Sequence, residues 1–280
     1  MDVIPAISAL AEQENRAEGD YINEADGLLY CGKCHTPKQA RVSFHIDGNQ
    51  KRAVPIACQC ENQAAEVAQE IARKMEFRRR MAELRKGGIT DPAYLRYTFA
   101  ADDRQDPALS DVCRRYVERW AEMEAQNIGI LFHGTVGTGK SFYACAIANA
   151  LVDQCIPAMV TSFPRLLNLL QSAQNRQEII DGLDRYRLLV IDDLGVERDS
   201  SYAAEQIYGV IDARARSGKP LIITTNLPYS ELETPVSMQY KRIYDRILEL
   251  CPVALKMTGD SRRVKNAAAK KAAAKALLQG

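Results

Sequence analysis

The sequence predicts an α/β chain, a parallel sheet packed by helices and preceded by a small metal-dependent module. Three observations predict it. A glycine-rich loop lies between an apolar run at 128–132 and a long apolar segment rich in helix formers. Two later apolar runs, at 188–191 and 221–225, read as buried strands that end in polar residues suited to chemistry. Four of the eight cysteines fall between positions 31 and 60, as one C-x-x-C and one C-x-C.

Gly134, Thr135, Val136, Gly137, Thr138, Gly139, Lys140 and Ser141 form a complete G-x-x-x-x-G-K-[ST] loop in the strand, loop, helix context that gives the motif meaning. Gly137 and Gly139 admit backbone angles closed to other residues, so successive N–H groups can point inward at phosphate. The helix that starts near Lys140 offers unpaired N–H groups and the positive end of its dipole to the same anion. In such a loop the lysine reaches the β- and γ-phosphates of a nucleotide and the serine holds Mg²⁺. Phe142 follows directly and is counted with the nucleotide-binding set. Further on, LLVIDDLG carries Asp192 at the end of a strand, where a carboxylate holds Mg²⁺ through its water shell, and Asp193 where a base can orient the attacking water. Two adjacent buried carboxylates are costly without a cation, which gives the pair a physical reason. Asn226 ends the next strand, within reach of the γ-phosphate or the lytic water.

Cys31, Cys34, Cys58 and Cys60 flank a β-rich stretch with Asp47-Gly48 as its turn signal. A hairpin there returns the second pair to the first, the geometry of a tetrahedral zinc ribbon. Because the second half is C-x-C, His35 or His45 stands as an alternative to Cys60 for the fourth ligand. A closed site of this kind stabilises and does not catalyse, and a module this small cannot bury enough apolar surface alone.

The stretch 61–86 reads as one helix, with Ala64, Val67, Ile71, Met75 and Leu84 at helical spacing and a basic second half, and Gly87-Gly88 reads as its stop and the start of a linker. Net charge is only +1, so any nucleic-acid contact must come from a local patch. No run of about 18 apolar residues exists, which argues against a membrane span. The acidic first residues lack the basic start of a secretory signal. A cytoplasmic chain with free thiols or metal-bound cysteines is the expectation.

The strings GTVGTGKS, LLVIDDLGVER, AEQIYGVIDARARSGKPLIITTNLPYSEL, RIYDRI and GDSRR resemble the bacterial and phage replicative helicase loaders of the DnaC/DnaI type, which are AAA+ ATPases and share their core with the IstB-like transposition ATPases. The resemblance covers 94–263. It implies a P-loop NTPase fold with parallel sheet order 5-1-4-3-2 and a minimal lid. It also implies self-association through ATP sites, docking on a hexameric replicative DNA helicase, and delivery of that helicase to single-stranded DNA. Carried over, Lys140, Ser141 and Asp192 hold ATP and Mg²⁺. Asp193 stands where most AAA+ proteins have glutamate, as is common among these loaders, and Asn226 matches sensor 1. Arg246, with Arg242 as second choice, matches the arginine finger acting in trans, and Arg263 matches sensor 2. The expected order is a zinc-binding domain at 1–60, a basic helical linker at 61–92, the AAA+ domain at 93–265 and a flexible Ala/Lys tail at 266–280. Two other readings fit the same motifs: a transposition helper that binds DNA and a transposase, and a nucleotide-gated nucleic-acid adaptor in which hydrolysis is incidental.

Overall fold

The structure, a computed structural model, describes residues 16–44, 50–195 and 201–279. They fall into two compact units, Met1–Phe77 and Arg78–Gly280. The turn expected at Asp47-Gly48, His45 and the residues after Gly195 lie outside the described residues.

The first unit holds a short antiparallel pair, β1 (Tyr21–Ile22) and β2 (Leu29–Tyr30), and a longer one, β3 (Gln39–Phe44) and β4 (Gln50–Pro55), in register from Gln39 opposite Pro55 to Phe44 opposite Gln50. Its buried apolar side chains, among the described residues, are only Leu29, Cys31 and Cys58. Apolar burial on that scale cannot offset the ordering entropy of the unit, so other interactions must hold it.

Helix α1 (Gln59–Gly88) runs through the division between the units. Val67, Ile71 and Met75, which share a helical face, are exposed, whereas Met81 and Leu84 pack against the core of the second unit. Gly87 and Gly88 are part of the helix and not an open linker. Gly88 lies so close to β6 (Ala158–Ser162) that a Cβ there would stand 2.0 Å from the Ala158 carbonyl oxygen. Tyr186 donates to the Gly87 carbonyl at 2.8 Å, and Arg85 pairs with Asp153.

The rest of the second unit comprises α2 (Pro92–Leu95), α3 (Pro107–Glu118), α4 (Trp120–Ala125), β5 (Ile130–Gly134), α5 (Lys140–Val152), β6, α6 (Phe163–Ser172), α7 (Arg176–Leu183), β7 (Leu188–Leu194), α8 (Ser201–Ser217), β8 (Leu221–Thr225), α9 (Tyr229–Glu233), α10 (Met238–Leu250), β9 (Val253–Met257) and α11 (Arg262–Gln279). The five core strands are all parallel and lie in the order β9, β5, β8, β7, β6, which in chain order is 5-1-4-3-2. Alternation along each strand sends Ile130, Phe132, Leu188, Val190 and Ile222 to one face. Leu131, Leu189, Ile191, Leu221 and Ile223 go to the other. Helices cover both faces, so these strands read as unbroken apolar runs. The segment read as one helix around Trp120 breaks at Arg119 (φ −100°, ψ 26°), with Cys113, Val117 and Trp120 still buried together. The polar stretch after Gln171 contains α7, started by Asn175, whose side chain accepts from the Gln177 N–H. No helix of the described residues is long and apolar enough to cross a membrane.

The close approach at α1 makes a testable contrast. Gly88→Ala must push two backbones apart and is expected to cost about 2–4 kcal/mol. That lowers the melting temperature by roughly 5–10 °C in a domain of this size. Gly87→Ala, whose new methyl meets nothing nearer than the Tyr186 hydroxyl at 3.7 Å, is expected to be neutral or to stabilise by up to about 1 kcal/mol. Equal melting temperatures for the two variants would contradict this packing.

Candidate functional site

The glycine loop leaves β5 at Gly134 and enters α5 at Lys140. Gly134, Gly137 and Gly139 all take left-handed angles, φ 126°, 82° and 103°. Space as well as φ excludes side chains here. A Cβ on Gly134 would stand 2.1 Å from the Met257 carbonyl oxygen, and one on Gly137 would stand 2.1 Å from the Ser261 hydroxyl. The Thr135 N–H donates to the Met257 carbonyl at 3.0 Å, and the Arg262 N–H donates to the Gly137 carbonyl at 2.9 Å. The chain after β9 therefore braces the loop. Inside it, the Thr138 hydroxyl donates to the Thr135 carbonyl, and the buried Lys140 ammonium donates to the carbonyls of Gly134 (3.0 Å) and Thr135 (2.7 Å). Burial lowers the Lys140 pKa, while Asp193 and Asp192 act to raise it.

The two aspartates sit in a bulge of β7 and not at its end. Pairing with β8 shifts register between Ile191 and Leu194, and Asp193 takes φ 60°. Asp192 is buried. One of its carboxylate oxygens accepts from the Thr224 hydroxyl and the other from the Tyr94 hydroxyl at 3.1 Å. The Thr224 oxygen in turn accepts the Asp193 N–H at 3.0 Å. Burial first, and then the neighbouring Asp192 charge, raises the Asp193 pKa, against the pull of Arg263 and Lys140. A carboxyl held above its usual range suits a base better than an ordinary surface aspartate would.

A cleft of about 410 Å³ opens over the loop, lined by Val136, Gly137, Gly139, Lys140, Ser141 and Phe142 from the loop and helix. Asp193 lines it from the β7 bulge, Asn226 from the end of β8 and Arg263 from the start of α11. Tyr97, Asp103 and Arg262 complete it, with the Tyr97 ring 5.6 Å from that of Phe142 and the Arg262 guanidinium 3.1 Å from Asp103. Gly134 and Thr135 face an adjoining groove. Arg242 and Arg246 lie on α10, outside the side chains that line the cleft. Arg246 pairs with Glu249 at 2.8 Å and stands 3.8 Å from Asp212. Tyr94, Tyr97 and Asn149 carried no motif of their own, and Thr224 and Arg262 stood inside quoted strings without an assigned role. Thr224, two residues before Asn226 on a strand beside β7, was the one that strand alternation could have identified.

In the first unit the sulfurs of Cys31, Cys34, Cys58 and Cys60 lie within 4.8 Å of one another. His35 instead contacts the Tyr21 hydroxyl through Nδ1 at 3.3 Å. Thiols this crowded conflict. Cys60, pressed by Cys58 and Cys31, is pushed up to about 12, whereas Cys34, beside the Thr36 hydroxyl, is lowered to about 5. A divalent cation among four thiolates removes that conflict, so the donor set fits a metal. Around it the buried Lys38 ammonium lies 3.0 Å from Asp20 and 3.0 Å from Glu61. Asp20 also accepts the Gly32 N–H, inside the first cysteine turn, and Glu61 accepts the Cys58 N–H, inside the second. One ion triad thus ties both cysteine turns together. The N–H groups of Ala17 and Gly32, with Lys38, lower the Asp20 pKa to about 2.

An all-parallel sheet of this order, with a phosphate loop after its first core strand and an acidic pair in the third, defines a P-loop ATPase of the AAA+ class. The chain belongs to the family of IstB-like ATP binding proteins, whose model matches residues 63–270. It is 28% identical to the replicative helicase loader DnaC of Escherichia coli (strain K12) over 139 residues, 48% of this chain and 54% of that protein. The match therefore spans about half the length of that relative. It is 24% identical to the replicative helicase loader DnaI of Bacillus subtilis (strain 168) over 269 residues, 87% of this chain and 81% of that protein. A crystal structure of DnaI aligns with a TM-score of 0.53 at 24% identity, over 61% of this chain and 93% of that one, a likeness of fold.

Outer groups that orient metal ligands typically govern affinity about 10–100-fold. Lys38→Met is accordingly expected to weaken Zn²⁺ binding at least about ten-fold in competition with a chromogenic chelator. An affinity equal to wild type would remove the triad from any role at the cysteine cluster.

Proposed function

We propose that the chain is an ATP-dependent loader that binds a hexameric replicative DNA helicase and helps deliver it to single-stranded DNA. The observation that carries this reading is the match to the B. subtilis loader over 87% of the chain, a larger share than the ATPase core alone.

In this reading the loop N–H groups and Lys140 grip the β- and γ-phosphates of ATP, and Lys140 exchanges the carbonyls of Gly134 and Thr135 for phosphate oxygen. Ser141 and Asp192 hold Mg²⁺, which when bound neutralises charge on the phosphates. Asp193 orients the attacking water and accepts its proton. Asn226 aligns that water against the γ-phosphate. Arg263 reaches the phosphates in cis, and Tyr97 and Phe142 face the nucleoside end. Arg246, or Arg242 on the same helix, completes the site of a neighbouring subunit, which accounts for its absence from its own cleft. The four cysteines hold structural Zn²⁺, and the unit they stabilise docks on the helicase.

Two measurements test this. The chain is expected to co-purify with a hexameric replicative helicase when ATP and Mg²⁺ are present, and Lys140→Ala is expected to lose that dependence. Failure of wild type to co-purify, with or without ATP, counts against loading and leaves the transposition-helper and adaptor readings. Arg246→Ala is expected to lower ATP hydrolysis by about 10³-fold, as for other arginines that act across a subunit boundary. Mixed with Lys140→Ala it is expected to recover part of the rate, because each variant supplies what the other lacks. A mixture as inactive as its components would remove Arg246 from the shared site.

A further inference from the structure

Asp192 is only 4% exposed, yet each of its oxygens has a hydroxyl donor from a different part of the chain. Thr224 reaches it from the neighbouring strand. Its single proton goes to Asp192, because its oxygen is already the acceptor for the Asp193 N–H. Tyr94 reaches it from 98 residues earlier. Tyr94 lies in α2, a one-turn helix set by Pro92 and by the Asp91 side chain, which accepts the Ala93 N–H at 2.8 Å. The backbone of this segment is fastened to the phosphate-loop helix. The buried Asn149 side chain of α5 donates to the carbonyls of Tyr94 and Tyr97, each at 2.9 Å.

A half-buried phenol that only fills space is served as well by phenylalanine. The hydroxyl is worth its desolvation only where an acceptor meets it. Here the acceptor is the carboxylate assigned to Mg²⁺. A carboxylate with one donor can still turn about its own axis, whereas one donor per oxygen fixes its plane. Catalytic constellations need that kind of outer support to hold geometry within a fraction of an ångström.

We propose that Tyr94 is a positioning residue for the magnesium-binding carboxylate, acting with Thr224 to fix the plane of Asp192. Through Asn149 it also ties the segment just ahead of the ATPase core to the metal site. The proposal rests on the reading of Asp192 given above.

The test is a Mg²⁺ titration of ATP binding, read by a fluorescent ATP analogue, on wild type, Tyr94→Phe, Thr224→Val and Thr224→Ser. In Tyr94→Phe and Thr224→Val the half-saturating Mg²⁺ concentration is expected to rise about five- to ten-fold, in keeping with the net worth of one intramolecular hydrogen bond. Affinity in EDTA is expected to stay at the wild-type value. Thr224→Ser, which keeps the hydroxyl, is expected to titrate like wild type. A Tyr94→Phe titration that overlays wild type overturns the proposal, as does an affinity loss of the same size with and without Mg²⁺, which would mean a packing role only. A wild-type chain that binds no nucleotide with Mg²⁺ present overturns the ATPase reading and this proposal together. The two failures are therefore told apart by wild type alone.

Discussion

The loop after β5 keeps its shape because another stretch of backbone lies against it with no room for a side chain between them. Gly134 abuts the Met257 carbonyl and Gly137 abuts Ser261. Two main-chain hydrogen bonds, from Thr135 to Met257 and from Arg262 to Gly137, close the contact. This contact requires β9 to be the immediate neighbour of β5, which the 5-1-4-3-2 order supplies. It also places the start of α11 over the loop, so Arg262 and Arg263 reach the cleft although they lie more than a hundred residues further along the chain. A phosphate-binding loop, an arginine pair and a strand order are thus one packing arrangement, and left-handed glycines are its local requirement.

Both units face the same electrostatic problem, several negative groups brought close together away from water. In the first, four sulfurs crowd within 4.8 Å, and the fold answers with Lys38 and its two carboxylate partners, which hold the cysteine turns in place. In the second, adjacent aspartates share a bulge, and the fold answers with hydroxyls from Thr224 and Tyr94, and with Lys140 and Arg263 nearby. Neither answer supplies a full compensating charge at the cluster. A divalent cation would do so in both places, and both donor sets fit one.

What the sequence disclosed divides along the reach of the interactions. The phosphate loop, Asp192, Asp193 and Asn226 were legible because strand periodicity and a contiguous motif are local signals. The cysteine pairs were legible for the same reason. The Asp20, Lys38 and Glu61 triad was not, since three ordinary charged residues 18 and more positions apart carry no pattern. Tyr94 and Asn149 were invisible for that reason too. Gly87-Gly88 does end the helix as its spacing suggests, but the pair also serves packing that the sequence did not disclose. Glycine pairs usually punctuate, but here Gly88 is required because β6 passes too close for a methyl group. Val67, Ile71 and Met75 have the spacing of a packed face and are nonetheless exposed, because periodicity reports which residues share a face and not what covers it.

Asp193 shows how the backbone can decide a residue type. Most AAA+ proteins have glutamate at this position, whereas aspartate there is common among the loaders that the sequence resembles. The bulge in β7 sets φ at 60°, a conformation that costs a non-glycine residue roughly 1–2 kcal/mol and that aspartate and asparagine tolerate best. The strain is held in place by the Asp193 N–H, which donates to the Thr224 oxygen, and Thr224 is itself fixed by its bond to Asp192. A glutamate would gain a methylene of reach but lose the short side chain that left-handed backbone favours. The bulge re-aims the side chain at this position. Aspartate at 193 therefore follows from the same hydrogen-bonded triplet of Asp192, Asp193 and Thr224 that arranges the Asp192 carboxylate.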